Sequence, residues 1–479
     1  MSLSVKFLLI VPGIASVIFI FKKLPFNMIT STNPYTGEKI ATAQEFTREQ
    51  IELALKYADD RFQSWKKTSF KERATLMHQA AKELKENSRE YAETITAEMG
   101  KPITQSIAEV EKCAWVCEYY ANNAEAHLES ENIETDAHKS YVSYEPIGVV
   151  LAVMPWNYPF WQVFRFAAPA LMAGNIGVLK HASNVMQSAG NIENVFKRAG
   201  FPKGCFQNLP IGSDRVEEVI KDKRIKAVSL TGSTPAGSAV AGVAGAEIKK
   251  SVLELGGSNA LVILKDANLH KAAETCIQAR FQNTGQSCIA GKRLLLHKDI
   301  AKNFMEIFLK MVKDLKSGDP KEKDTFIGVL AREDLAEDLE KQVNDSVKAG
   351  AKILIGGKRK GTYFEPTVLT GVTREMPVFA EETFGPVIGV TIFSTEDEAV
   401  ELVNSSQFGL GVSVFTDDLE KAEAMVPLFE DGAVFINELV KSDPRLPFGG
   451  TKISGYGREL SIQGIREFVN KKTVYIKKI

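Results

Sequence analysis

The sequence predicts an α/β protein of two or three domains built on parallel sheets. Three observations carry this. At 479 residues the chain exceeds the length at which a single core stops growing. A long stretch of helical periodicity, residues 47–129, precedes the main body. From residue 147 onward, short apolar strands alternate with helical patterns, as in parallel strands joined by helical crossovers. Hydrophobic residues make up 44% and charged residues 25%, the composition of an ordinary globular protein.

The elements follow in order. Residues 7–21, FLLIVPGIASVIFIF, carry no charge and are flanked by Lys6 and by Lys22 and Lys23. The run is shorter than the roughly 20 apolar residues of a spanning helix, and it lacks a small-residue cleavage site. One reading is a membrane anchor whose basic flank keeps the remainder on the cytoplasmic side. The favoured reading sets residues 1–27 aside as a mis-assigned start, because globular sequence follows directly from Met28. Thr47 is placed as the N-cap of a first helix. A second helical stretch opens at Phe70 and stops at Gly100 and Pro102. A third helix carries Cys113 and Cys117 on one face; structural zinc needs four ligands, so packing is the better reading of this pair.

Strands are expected at 147–153, 176–180, 206–210 and 226–232, then in a second α/β region at 259–264, 293–297, 386–393 and 411–415. Ligands in such sheets sit at the carboxyl ends of the strands. The closing segment KKTVYIKKI alternates apolar and basic residues, an exposed strand in need of a partner edge. A net charge of −1, from 59 basic and 60 acidic residues, leaves no footprint for nucleic acid. Five cysteines do not form a disulfide framework and point to free thiols in a reducing, cytoplasmic setting.

Four short stretches could carry chemistry. Cys288 in FQNTGQSCIAGKR is a nucleophile if its setting is electropositive, and packing otherwise. Glu254 in LELGGSNA is a general base if desolvated, with two glycines that allow close approach of backbone or ligand. Asn157 in VMPWNYP, between two prolines, is either a turn former or a rigid amide donor for an oxyanion. LTGSTPAG, residues 230–237, leads from a strand into a helix whose N-terminus could face phosphate, although it is not G-x-G-x-x-G.

Six motifs in this order, VMPWNYPFW, LTGSTPAG, LELGGSNA, FQNTGQSC, EETFGPV and PFGGTKISGYGRE, resemble the NAD(P)-dependent aldehyde dehydrogenase superfamily from about Asn33 to the C-terminus. The resemblance implies a Rossmann-like cofactor domain (28–124 and 146–253), an α/β catalytic domain (254–459) and a β-strand oligomerisation arm (125–145 and 460–479). It implies Cys288 as nucleophile, Glu254 as general base and Asn157 as oxyanion donor. It also implies a homodimer or homotetramer and no metal. Cofactor contacts carry over to Trp156, Lys180, Ser183, Gly232, Ser233, Glu382 and Phe384. Ser183 stands where NAD-preferring relatives often have a glutamate. A serine does not repel a 2′-phosphate, so NADP is expected to be preferred, with NAD also used.

The aldehyde is read from Arg165, Trp161 and Ser442, with Phe164 near by. These resemble the succinate-semialdehyde dehydrogenase branch, in which an arginine and a serine hold the far carboxylate. Gln282 stands where related enzymes often have a second arginine, with Arg280 two residues away, so a looser grip and a broader range of aldehydes is the alternative. Ile289 and Ala290 leave no second cysteine for a redox switch. A non-catalytic member is disfavoured by the joint presence of Cys288, Glu254 and Asn157. Transfer to coenzyme A is disfavoured by Glu254 as a water base.

Overall fold

The computed structural model describes residues 27–479. The apolar leader, and with it the anchor reading, lies outside the described residues. Among the described residues no helix is long and apolar enough to cross a membrane.

The helical run resolves into four helices rather than three: α1 (Arg48–Trp65), α2 (Phe70–Glu86), α3 (Ser88–Met99) and α4 (Ile103–His127). Thr47 caps α1 as expected, in a reciprocal box with Gln50, which satisfies two otherwise orphaned N–H groups. The extra break falls at Asn87, whose side-chain amide donates back to the Glu83 carbonyl. Such a local bond competes with the helical ladder. Gly100, at φ 73, ends α3 in the left-handed conformation that glycine adopts without strain. Cys113 and Cys117 are fully buried on the face of α4 that also holds Val110, Ala114 and Tyr120, which is a packing role.

Two sheets carry the site. The first has six strands in the order Gly455–Tyr456, Lys250–Glu254, Ile225–Thr231, Val149–Met154, Ile176–His181 and Phe206–Asn208. All neighbours are parallel except the first pair. The second has seven, in the order Lys352–Ile355, Thr367–Thr370, Val387–Phe393, Gly291–His297, Asn259–Ile263, Val412–Phe415 and Val434–Ile436. The eight main-body strands expected from apolar runs are all present. Lys250–Glu254 is a further strand that apolar runs do not predict, because only Val252 and Leu253 are apolar and an acid stands at its end. The near-continuous burial of Val149–Met154 and Gly291–His297 is what a parallel sheet covered on both faces requires.

The closing strand finds its partner within the chain. Val469–Ile476 pairs antiparallel with Lys139–Pro146, which pairs in turn with Glu131–Asn132.

Candidate active site

The helix α5 (Trp161–Met172) is buried along its whole length, and its first turn is anchored by an acid. Glu109 of α4 accepts from the Phe160 and Trp161 N–H groups at 2.9 and 3.0 Å. Its other oxygen pairs with Lys101, and both side chains are buried. A carboxylate at a helix N-terminus also complements the helix dipole. Removing it leaves the Lys101 ammonium buried and uncompensated. Glu109→Ala is therefore expected to cost about 3–5 kcal/mol, read as a lower denaturant midpoint at unchanged slope.

The loop before Cys288 is strained and pinned. Asn283 and Thr284 both adopt left-handed backbone, at φ 56 and 53, a conformation that costs a branched residue of order 1–3 kcal/mol. Three contacts hold it. The Asn283 N–H donates to Gln105 Oε1 at 2.6 Å. Thr284 Oγ1 accepts from the Gly328 N–H at 3.0 Å. The Asn283 side chain donates to the Asn157 carbonyl at 2.9 Å. The Asn157 amide donates in turn to the Gln286 carbonyl at 3.2 Å. The VMPWNYP loop and the cysteine loop are thus locked to one another.

The two glycines of LELGGSNA make room for this junction. A side chain at Gly257 would meet the Cys288 carbonyl at 2.6 Å, and one at Gly256 would collide with Glu382 Oε2. Glu382 Oε1 accepts from the Gly257 N–H at 3.0 Å and from Lys292 at 2.7 Å. Lys292, fully buried, also donates to the Cys288 carbonyl at 2.9 Å. Lys292 went unnoticed in the sequence, where a lysine in a strand reads as a surface residue.

Two cavities meet at the cysteine. The larger, about 400 Å³, is lined by Cys288 together with Trp156, Asn157, Gly232, Ser233, Glu382 and Phe384. The Trp156 and Phe384 rings stand edge to face, 5.6 Å apart. Ser233 caps the helix Thr234–Ala246, so that helix N-terminus opens onto the cavity. Lys180 and Ser183 lie outside this lining. They sit at and just past the carboxyl end of the strand Ile176–His181, beside the strand that leads to Trp156. Lys180 is buried, which lowers its proton affinity against the pull of Glu45 and Asp214; Ser183 is exposed.

The smaller cavity, about 160 Å³, has Cys288 in its wall together with Lys112, Tyr158, Trp161, Arg165, Ser442 and Phe448. The structure thus brings Arg165, Trp161 and Ser442 together, as the sequence reading placed them. Phe164 is not among the lining residues. It is fully buried and stacks between Phe160 and Phe196; Tyr158 and Phe448 supply the aromatic wall instead. Gln282 lines the cavity, whereas Arg280 is buried elsewhere, donating to the Thr383 carbonyl at 3.1 Å. Arg165 is already engaged. It pairs with Glu459, lies over the Phe448 ring and donates to Thr231 Oγ1 at 3.3 Å.

Burial pushes the Cys288 thiol up to about 11, against the opposing pull of Lys292 and Arg165. Glu254 is buried and neither carboxylate oxygen has a hydrogen-bond partner. Burial, followed by the negative charge of Glu459, holds its proton affinity well above the usual carboxylate range. One Glu254 oxygen faces Gly449, and Glu254 lies close enough to Cys288 to raise the thiol further. Together these residues form a thiol at the meeting point of two cavities, with a proton-hungry acid behind it.

A thiol at the junction of two cavities on this pair of sheets belongs to an aldehyde dehydrogenase: the chain is a member of the aldehyde dehydrogenase family, which it matches over residues 22–474. It is 48% identical over 452 residues to a probable succinate-semialdehyde dehydrogenase (NADP+) of Synechocystis, covering 94% of this chain and 99% of that protein. It is 46% identical over 454 residues to succinate-semialdehyde dehydrogenase (NADP+) 1 of Mycobacterium tuberculosis, with the same coverage. Among solved structures, the succinic semialdehyde dehydrogenase of Streptococcus pyogenes in complex with NADP+ superposes with a TM-score of 0.92. The identity there is 38%, covering 94% of this chain and 100% of that one.

Proposed function

We propose that the chain oxidises succinate semialdehyde to succinate with NADP+, accepting NAD+ less well. The observation that carries the reading is that Cys288 lines both cavities. One cavity has the size and aromatic edge for a nicotinamide. The other is small, and its lining includes the cations Lys112, Arg165 and Lys441, which suits a short aldehyde that ends in a carboxylate. The relatives' names point the same way.

The residues of the larger cavity fit the cofactor. The helix N-terminus at Gly232 and Ser233 suits a pyrophosphate, Glu382 suits ribose hydroxyls, and Trp156 and Phe384 suit a flat ring. Lys180 and Ser183 would take the adenosine ribose and its 2′-phosphate. The chemistry that a bound nicotinamide supplies is acceptance of a hydride; all other tasks fall to the chain.

The Cys288 thiolate adds to the aldehyde carbon, giving a thiohemiacetal whose oxyanion is held by the Asn157 amide and the Cys288 N–H. Hydride loss leaves a thioester on Sγ. Glu254 takes a proton from a water that attacks the thioester carbonyl, and Cys288 departs as thiolate. The chain assembles as a homodimer or homotetramer through the arm, where the exposed strand Val469–Ile476 forms one edge of its sheet. The five unbridged cysteines suit a cytoplasmic setting.

Steady-state reduction of NADP and NAD with succinate semialdehyde and with butanal tests this reading. The expected result is a preference of tenfold or more in kcat/KM for the acid-bearing aldehyde, about 1.4 kcal/mol, with NADP the better cofactor. Equal use of the two aldehydes would leave only a broad-specificity aldehyde dehydrogenase.

A further inference from the structure

One cation of the smaller cavity lies outside every motif that marks the site in the sequence. Lys112 comes from α4, remote in sequence from the rest of the site. Its Nζ donates to Ser442 Oγ at 2.9 Å across 330 residues and lies 4.4 Å from the centre of the Trp161 ring. Its environment has the features of a site for an anion. The partner it bonds is a neutral hydroxyl. Among the described residues no carboxylate pairs with it. The two acids near by are committed elsewhere: Glu109 to Lys101 and the start of α5, and Asp443 to Arg445 at 2.7 Å. The other cations of the lining are paired: Arg165 with Glu459 and Lys441 with Glu438. A charge taken partly out of water is stabilised when an opposite charge arrives, and of the three cations Lys112 is the one that lacks such a partner.

We propose that Lys112 is the specificity-determining cation of this pocket, pairing with the far carboxylate of the aldehyde while Ser442 donates its hydroxyl to the same group. Lys112 then supplies the charge that Gln282 cannot, alongside Arg165, whose charge is shared with Glu459. The proposal rests on the reading of the smaller cavity as the aldehyde site.

The test compares kcat/KM for succinate semialdehyde and for butanal in the full-length enzyme and in Lys112→Gln and Lys112→Arg. Truncating one partner of a desolvated charge pair is a large loss, so the ratio of the two values should fall by about 30-fold or more in Lys112→Gln. Lys112→Arg, which keeps the charge, should retain most of the ratio. Turnover of butanal in the same preparation reports a folded site. A ratio unchanged in Lys112→Gln overturns the proposal, and so does an equal loss toward both aldehydes, since a lysine that only supports the fold would behave that way. If the unaltered enzyme shows no preference for the acid-bearing aldehyde, the substrate reading itself fails. A preference that survives Lys112→Gln leaves that reading standing and removes Lys112 alone.

Discussion

Cys288→Ala should abolish aldehyde oxidation, lowering kcat by at least about 10³-fold, while NADP still binds. The size of the effect follows from the position of the thiol. The VMPWNYP loop, the strained turn at Asn283 and Thr284, and Lys292 all converge on the backbone around Cys288. No other cysteine can substitute: Cys113, Cys117, Cys205 and Cys276 are all buried. The proposed cofactor contacts come from other residues, so NADP affinity, followed by fluorescence titration, should change by less than about threefold. The raised thiol adds a second signature. In the free enzyme, alkylation of Cys288 by iodoacetamide should accelerate with pH up to about 11, because the reactive thiolate becomes populated only as the pH approaches that value.

Glu254→Gln should separate the two halves of the reaction. The first turnover is expected to survive as a burst of one reduced cofactor per active site. Steady-state turnover should then fall by about 10²–10⁴-fold, the usual contribution of a general base. The structure supports this division, since Glu254 is buried and both of its oxygens lack hydrogen-bond partners. The direction of the pH dependence follows from its raised proton affinity. Glu254 gains base character at higher pH than an ordinary carboxylate, so hydrolysis of the thioester in the unaltered enzyme should speed up as pH rises. The same shift acts on stability in the opposite sense. The folded state binds the proton more tightly than the unfolded state, so this residue's contribution to stability declines as pH rises above the ordinary carboxylate range. The glutamine variant, which has no proton to lose, should lose less stability than the unaltered protein as pH rises. A variant with no burst would place Glu254 in the first half of the reaction instead.

The sequence made the chemistry legible wherever it lies in a short contiguous motif. Cys288, Asn157, Glu382 and Phe384 each sit in a loop whose glycines and prolines mark it, and all four line the larger cavity. Parallel strands were legible because burial on both faces writes them as unbroken apolar runs. What stayed hidden depends on contacts across long separations. Lys112 and Glu109 look like the polar face of an amphipathic helix, and only the packing of α4 on α5 turns them inward. The engagement of Arg165 by Glu459 was equally invisible, because nothing local to either residue announces the other. The strand Lys250–Glu254 was obscured by the features that make it useful, an acid at its end and two glycines beyond it.

The most direct test of the mechanism is peptide mass spectrometry of Glu254→Gln, acid-quenched after a single addition of succinate semialdehyde and NADP. The mechanism requires one succinyl group, stoichiometric with the burst of reduced cofactor, on the peptide that contains Cys288. An unmodified Cys288 peptide alongside a full burst, or a succinyl group on another cysteine, would contradict it.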